Sequence, residues 1–238
     1  GVINTNSFTA SSLNLKNEDF LNDNYKFKAE PKSRNVENKG EITVNSKGNI
    51  ALLGRQVLNS GIVKAKLGKI AVGAGNSVTL NFAKNKMMNI IIPSQDLDKI
   101  SDIHGRTLRY LISNEGELRA QGGIIELSAL AANNLKMGTI NNADTGSIIA
   151  TGYHRNSGKI TISSQNGRQN LSGRIDVSNN DEKLPSGYVS ISGDNIYNKS
   201  RISANGMNGG KVKLLSKNLL INDGQIEANG INKGGEII

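Results

Sequence analysis

The residues able to do acid–base chemistry are few and poorly spaced for it. His104 and His154 stand fifty positions apart, and neither has a carboxylate or serine at motif spacing, so each reads as a loop or surface residue rather than a general base. The carboxylates Glu41, Glu117, Glu126, Asp176, Asp194 and Glu227 are scattered, whereas glycoside hydrolysis needs two acids facing each other across one bond. Asp181-Glu182, shortly before Pro185, read as a solvated turn. There is no Gly-x-Ser-x-Gly elbow, phosphate loop, His-Glu-x-x-His pair or calcium nonapeptide in the sequence. Cysteine is absent, which excludes disulfides and zinc–thiolate centres. No catalytic, cofactor-binding or metal-binding residue is therefore assigned.

Basic side chains are better organised. Lys64, Lys66 and Lys69 form one cluster, Lys84 and Lys86 a second, and Lys211, Lys213 and Lys217 a third. In an extended chain Lys64 and Lys66 project from one face, as do Lys211 and Lys213. The formal net charge is +9, from 29 Lys+Arg against 20 Asp+Glu. Lys64, Lys66, Lys69, Lys211 and Lys213 are thus a candidate stripe for an anionic partner, either a glycan or an acidic protein surface, and the competing reading is a solubilising face. Nucleic acid is disfavoured because aromatics are only 4% of the chain and Trp is absent, leaving no stacking platform beside the lysines. Met87-Met88 reads as packing rather than metal binding. No apolar run is long enough to span a bilayer, so membrane insertion is not expected. The chain opens Gly1-Val2-Ile3 and reads as a fragment of a longer or processed protein.

What positions these residues is a repeat. The 27 Gly and 33 Asn make up about a quarter of the chain and recur in register with short aliphatic strands. One pattern is Gly-x-aliphatic-x-Ala/Val, at Gly40-x-Ile42-x-Val44, Gly61-x-Val63-x-Ala65, Gly116-x-Leu118-x-Ala120, Gly146-x-Ile148-x-Ala150, Gly173-x-Ile175-x-Val177 and Gly224-x-Ile226-x-Ala228, with Ser200-x-Ile202-x-Ala204 as a variant. Asn38, Asn59, Asn114, Asn198 and Asn222 precede copies by two residues, as expected of tight αL or Asx turns. A sister pattern follows each copy, from Gly48-x-Ile50-x-Leu52 and Gly68-x-Ile70-x-Val72 to Gly210-x-Val212-x-Leu214 and Gly235-x-Ile237. A weaker third strand is traced at Val78-x-Leu80-x-Phe82, Leu135-x-Met137, Ile196 and Leu219-x-Ile221.

Strands this short cannot bury one face alone, so successive copies must stack. The expected fold class is all-β, a parallel β-helix (solenoid) of about seven rungs and about 35 Å, with aliphatic ladders inside and Glu41, Thr43, Lys64, Lys66, Lys159, Thr161 and Glu227 outside. A propeller or sandwich would need longer strands and more aromatics. Residues 1–36 lack the glycine repeat and are expected to cap the helix, since an open solenoid end exposes unpaired strand edges. Residues 37–238 then form the β-helix, with an extra-helical insert at about 83–113 that ends in Tyr110-Leu111-Ile112.

The opening Ile3-Asn4-Thr5-Asn6-Ser7-Phe8-Thr9-Ala10-Ser11-Ser12-Leu13-Asn14-Leu15 and Asn17-Glu18-Asp19-Phe20 resembles the secretion domain of filamentous-haemagglutinin-type two-partner secretion exoproteins, close to the high-molecular-weight adhesins. The segments Asn49-Ile50-Ala51-Leu52-Leu53-Gly54-Arg55-Gln56-Val57 and Ala74-Gly75-Asn76-Ser77-Val78-Thr79-Leu80-Asn81-Phe82 look like that family's first rungs. The chain departs from the family in having no Asn-Pro pair at Pro31, Pro93 or Pro185. The resemblance implies a right-handed parallel β-helix without enzymatic activity or cofactor. It implies export through the periplasm of a Gram-negative bacterium to the cell surface or medium. Its partners would be an outer-membrane transporter, recognising the region of Asn4, Asn6, Ser11 and Ser12, and a host-cell glycan or receptor. The same domain could stand on a secreted cytolysin or contact-dependent toxin. A β-helical polysaccharide-degrading enzyme is the remaining alternative and would need acids in register on neighbouring rungs.

Overall fold

In the computed structural model the described residues are 1–82, 88–91, 109–131 and 138–238. Three ladders of parallel strands stack around one apolar interior. The first holds Val2–Thr5, Glu41–Val44, Ile62–Ala65, Glu117–Arg119, Ser147–Ile149, Arg174–Asp176, Arg201–Ser203 and Gln225–Glu227 in a single eight-stranded sheet. Its inward column is Ile3, Ile42, Val63, Leu118, Ile148, Ile175, Ile202 and Ile226. The second ladder aligns Phe8, Ile50, Ile70, Ile125, Ile160, Val189, Val212 and Ile237. Ile50, Ile70, Ile125 and Ile160 have no exposed surface. Each such side chain contributes about 1.5–3 kcal/mol by leaving water, and no rung can obtain that contribution without its neighbours.

The third ladder differs from the expected trace. It runs through Val36–Asn38, Val57–Asn59, Tyr110–Asn114, Gly138–Asn142 and Arg168–Leu171, then through the C-terminal halves of Tyr188–Asn198 and Lys211–Asn222. Ile196 and Leu219–Ile221 belong to it, and Leu135 and Met137 lie outside the described residues. Tyr110-Leu111-Ile112, assigned from sequence to the insert, is part of the rod. Alongside its aliphatic column runs a second one, Asn38, Asn59, Asn114, Asn142, Leu171, Asn198 and Asn222. The Nδ2 of Asn38 donates to Asn59 Oδ1, that of Asn59 to Asn114 Oδ1 and that of Asn114 to Asn142 Oδ1, each at 2.8 Å. The ladder breaks at Leu171 and resumes with Asn198 donating to Asn222 at 2.6 Å. These asparagines are therefore not αL turn residues, since none has positive φ. The Asx part of the expectation holds at Asn38 and Asn198, whose Oδ1 atoms accept from the Gly40 and Ser200 amides.

Glycine marks the corners because successive backbones nearly touch there. A Cβ on Gly68 would lie 1.8 Å from the Gly48 carbonyl oxygen. One residue before these corner glycines the chain is left-handed at Lys47 (φ 70°), Leu67 (φ 55°) and Gly122 (φ 62°), which turns it from the first ladder into the second.

Val78-x-Leu80-x-Phe82 is also redirected. Ser77–Phe82 pairs antiparallel with Met88–Ile91 and with Tyr25–Lys28, forming a three-stranded sheet outside the rod. The physical reason lies in the second ladder, where Ala51, Leu53 and Ala71 alternate outward yet are apolar and need cover. Leu13, Phe27, Val78 and Leu80 supply it and form a second buried cluster with them. Within residues 1–36, Val2–Thr5 and Phe8–Ser11 are ladder strands, one rung more than the repeat indicated, while the helix Asn17–Leu21 and Tyr25–Lys28 lie off the rod.

Candidate functional site

The N-terminal residues singled out for partner recognition sit on the first rung and its exit. Asn4 lies on the outer face of Val2–Thr5 and is exposed. Asn6 is exposed and accepts a hydrogen bond from Asn45 Nδ2, tying the first corner to the next rung. Ser11 closes a local turn, its hydroxyl accepting from the Leu13 amide at 3.0 Å. Ser12 is different: its hydroxyl oxygen is buried and has no hydrogen-bond partner among the described residues. Of the four, Asn4, Asn6 and Ser11 are exposed, and Ser11 alone holds a local turn through its hydroxyl. Sequence reasoning did not single out the apolar surface nearby in the chain, where Val2, Phe20 and Leu21 are 68%, 56% and 80% exposed. The Phe20 ring meets Tyr25 edge-on at 6.1 Å. A five-residue helix cannot bury both of its last apolar side chains, and no period marks them in the sequence.

The lysine stripe divides. Lys69 is buried and paired with Glu126 at 2.5 Å, so its ammonium is not presented to solvent as the stripe requires. Strand alternation gave Lys69 an outward position, but not the neighbours that cover it. Lys64 pairs with Glu41 at 2.9 Å, and Lys211 with Glu236 at 2.8 Å, both pairs being partly exposed. Lys66 lies over the Tyr153 ring, 3.8 Å from its centroid. Lys213 projects from the second ladder one alternation beyond Lys211. Lys64 belongs to the first ladder and Lys211 and Lys213 to the second, so the five do not share one face. Lys84, Lys86 and His104 lie outside the described residues, as do the side chains of Met87 and Met88.

The carboxylates are held by cations and amides. Glu117 takes two hydrogen bonds from Arg119, at 2.7 and 2.8 Å, and its carboxyl is held below the usual range mainly by them. The Lys64 hydrogen bond lowers Glu41 likewise. Glu227 is lowered chiefly by the Asn205 amide, with Arg201 adding to it. Asp176 is buried and paired with Arg174, not open on the outer face as alternation suggested, because the neighbouring Ile149 and the arginine close over it. Glu41 and Glu117 share an outward column but Ile62 stands between them, and Ser203 separates Asp176 from Glu227. Among the described residues no two acids occupy adjacent rungs of one column, and no group of three His, Asp or Glu gathers at a metal-binding distance. His154 lies on an exposed left-handed turn (φ 50°) and contacts Tyr153. The described residues contain no helix long and apolar enough to cross a membrane.

No family model and no curated protein sequence matches the chain. Among solved structures it is similar to the HMW1 secretion domain from Haemophilus influenzae, with a TM-score of 0.73 over 99% of this chain and 69% of that one, at 23% sequence identity. This chain, a parallel β-helix carrying added elements on one face, therefore shares its fold with the HMW1 secretion domain.

Proposed function

We propose that this chain is the secretion domain of a large exported adhesin of the two-partner type, recognised by an outer-membrane transporter and serving as the first folded segment of a longer β-helix. The observation that carries this reading is the likeness to the HMW1 secretion domain along 99% of the chain, which takes in the first rung as well as the rod. Composition supports it: with no cysteine the chain cannot cross-link in an oxidising periplasm before it threads a pore. Each rung contacts only its neighbours, so rungs add in order as the chain emerges, each templating the next. On this reading the domain is not an enzyme, and its destination is the cell surface or medium.

The test is secretion. The chain is placed behind a periplasmic export signal in a Gram-negative host, with and without each of several two-partner transporters. The expected result is release into the medium only with a transporter, reduced when Asn4 and Asn6 are both changed to Ala. Retention with every transporter, or equal release without one, overturns the proposal.

A further inference from the structure

We propose that the corner between the first and second ladders is a groove for an extended anionic oligosaccharide. This inference does not depend on the export reading. The floor is the stack Gly48, Gly68, Gly123, Gly158, Gly187, Gly210 and Gly235, which carries no side chains. Its carbonyls are already used: those of Gly48, Gly68, Gly123, Gly158, Gly187 and Gly210 accept from the amides of Lys69, Ile124, Lys159, Tyr188, Lys211 and Glu236 at 2.9–3.3 Å. A peptide strand adding to this line would find no free backbone acceptors there, so any ligand must be read by side chains and by shape.

Two hollows lie on this line. One, of about 620 Å³, opens beside Gly68 and Gly123 and is flanked by Lys47. The other, of about 650 Å³, runs past Gly158, Gly187, Gly210 and Gly235 and is flanked by Tyr188, Lys211 and Lys233. Lys159, Tyr188 and Lys211 follow one another in register on successive rungs, and Lys159 Nζ lies 5.8 Å from the Tyr188 ring centroid. The Lys66–Tyr153 pair repeats that combination close to the first hollow. Lys47, Lys159 and Lys233 are exposed and have no carboxylate partner among the described residues, whereas Lys211 is shared with Glu236 and Lys69 with Glu126. The half-buried Tyr188 ring, set between Lys159 and Lys211 at about 4.8 Å per rung, suits a chain of sugar rings bearing sulfate or carboxylate groups. One sugar ring packs on Tyr188, and the anions on its neighbours meet lysine.

The experiment is a calorimetric titration of the chain at near-physiological salt. Its probes are a sulfated hexasaccharide, a hexamer of galacturonate, a neutral hexasaccharide and a single-stranded oligonucleotide of matched charge. The expected result is saturable binding of at least one anionic sugar, with the one preferred identifying the anionic group. Lys159→Ser combined with Lys211→Ser, and separately Tyr188→Ala, should each weaken it about tenfold or more. Lys217→Ser, away from the groove, should leave it unchanged. Tyr188→Phe should retain binding, which keeps the test decisive if Tyr188→Ala disturbs the rod. The proposal is overturned if neither anionic sugar binds, if the neutral sugar or the oligonucleotide binds as tightly, or if Lys217→Ser costs as much as the groove variants.

Discussion

Asn114 is the residue at which the physics of the interior can be tested most sharply. It is 1% exposed, its Oδ1 accepts from Asn59 and its Nδ2 donates to Asn142. Replacing it by Asp preserves shape and the acceptor toward Asn59 but removes the donor and places a carboxylate against the Asn142 oxygen. Breaking a buried polar arrangement so that a charge is left uncompensated costs about 3–5 kcal/mol, and losing the amide donor alone costs about 1–3 kcal/mol. At neutral pH Asn114→Asp should therefore lie roughly 3–5 kcal/mol below the wild type in urea unfolding. Burial raises the new carboxyl's pKa above its unfolded value, so the penalty is complete above the folded pKa. It fades as pH falls toward about 4, where a protonated Asp regains a donor for Asn142. The assay is the stability difference between variant and wild type, measured at a series of pH values. A variant as stable as the wild type at pH 7, or a difference that does not shrink on acidification, would refute the ladder as a hydrogen-bonded element.

The remaining predictions concern the ladders, the outer charges and the corners. Ile70→Asp, and likewise Ile42→Asp or Ile50→Asp, should abolish cooperative folding by placing an unpaired charge among residues with little or no exposed surface, seen as loss of the β circular dichroism signal. Lys64→Ala should leave the fold intact, with a change of about 0–1 kcal/mol in urea unfolding, because it removes a partly exposed pair with Glu41. Gly68→Ala should lower the melting temperature by several degrees, its methyl having to displace the Gly48 carbonyl, while Gly234→Ala, with open space around it, should not. The pKa of Glu117 is lowered in the folded state, chiefly by Arg119, so its contribution is present above the unfolded value and is lost as pH falls through the folded one. Glu117→Gln should accordingly flatten the acid limb of the stability profile below about pH 4.5.

The glycine–aliphatic alternation was enough to identify two of the three ladders, because period two with glycine at a fixed offset has few other physical solutions than stacked short strands. Ile42, Val63 and Leu118, or Ile50, Ile70 and Ile125, are inward by alternation alone. The third ladder was only partly legible, at Ile196 and Leu219-x-Ile221, because one of its two inward columns is mostly asparagine, a residue that local rules assign to turns. Only stacking gives each amide the donor and acceptor that make its burial tolerable. Val78 and Leu80 carry the same alternation as ladder residues, yet they cover Ala51 and Ala71 from outside, since a period says that one face is buried but not against what. The lysines show the same division. Alternation placed Lys64, Lys69, Lys211 and Lys213 outward, while the neighbours in space paired Lys69 with Glu126 and left Lys159 open beside Tyr188. Strand periodicity is a property of the local chain and is legible from it; burial, ion pairing and the glycine-floored groove arise from rungs dozens of residues apart meeting at one rung's spacing.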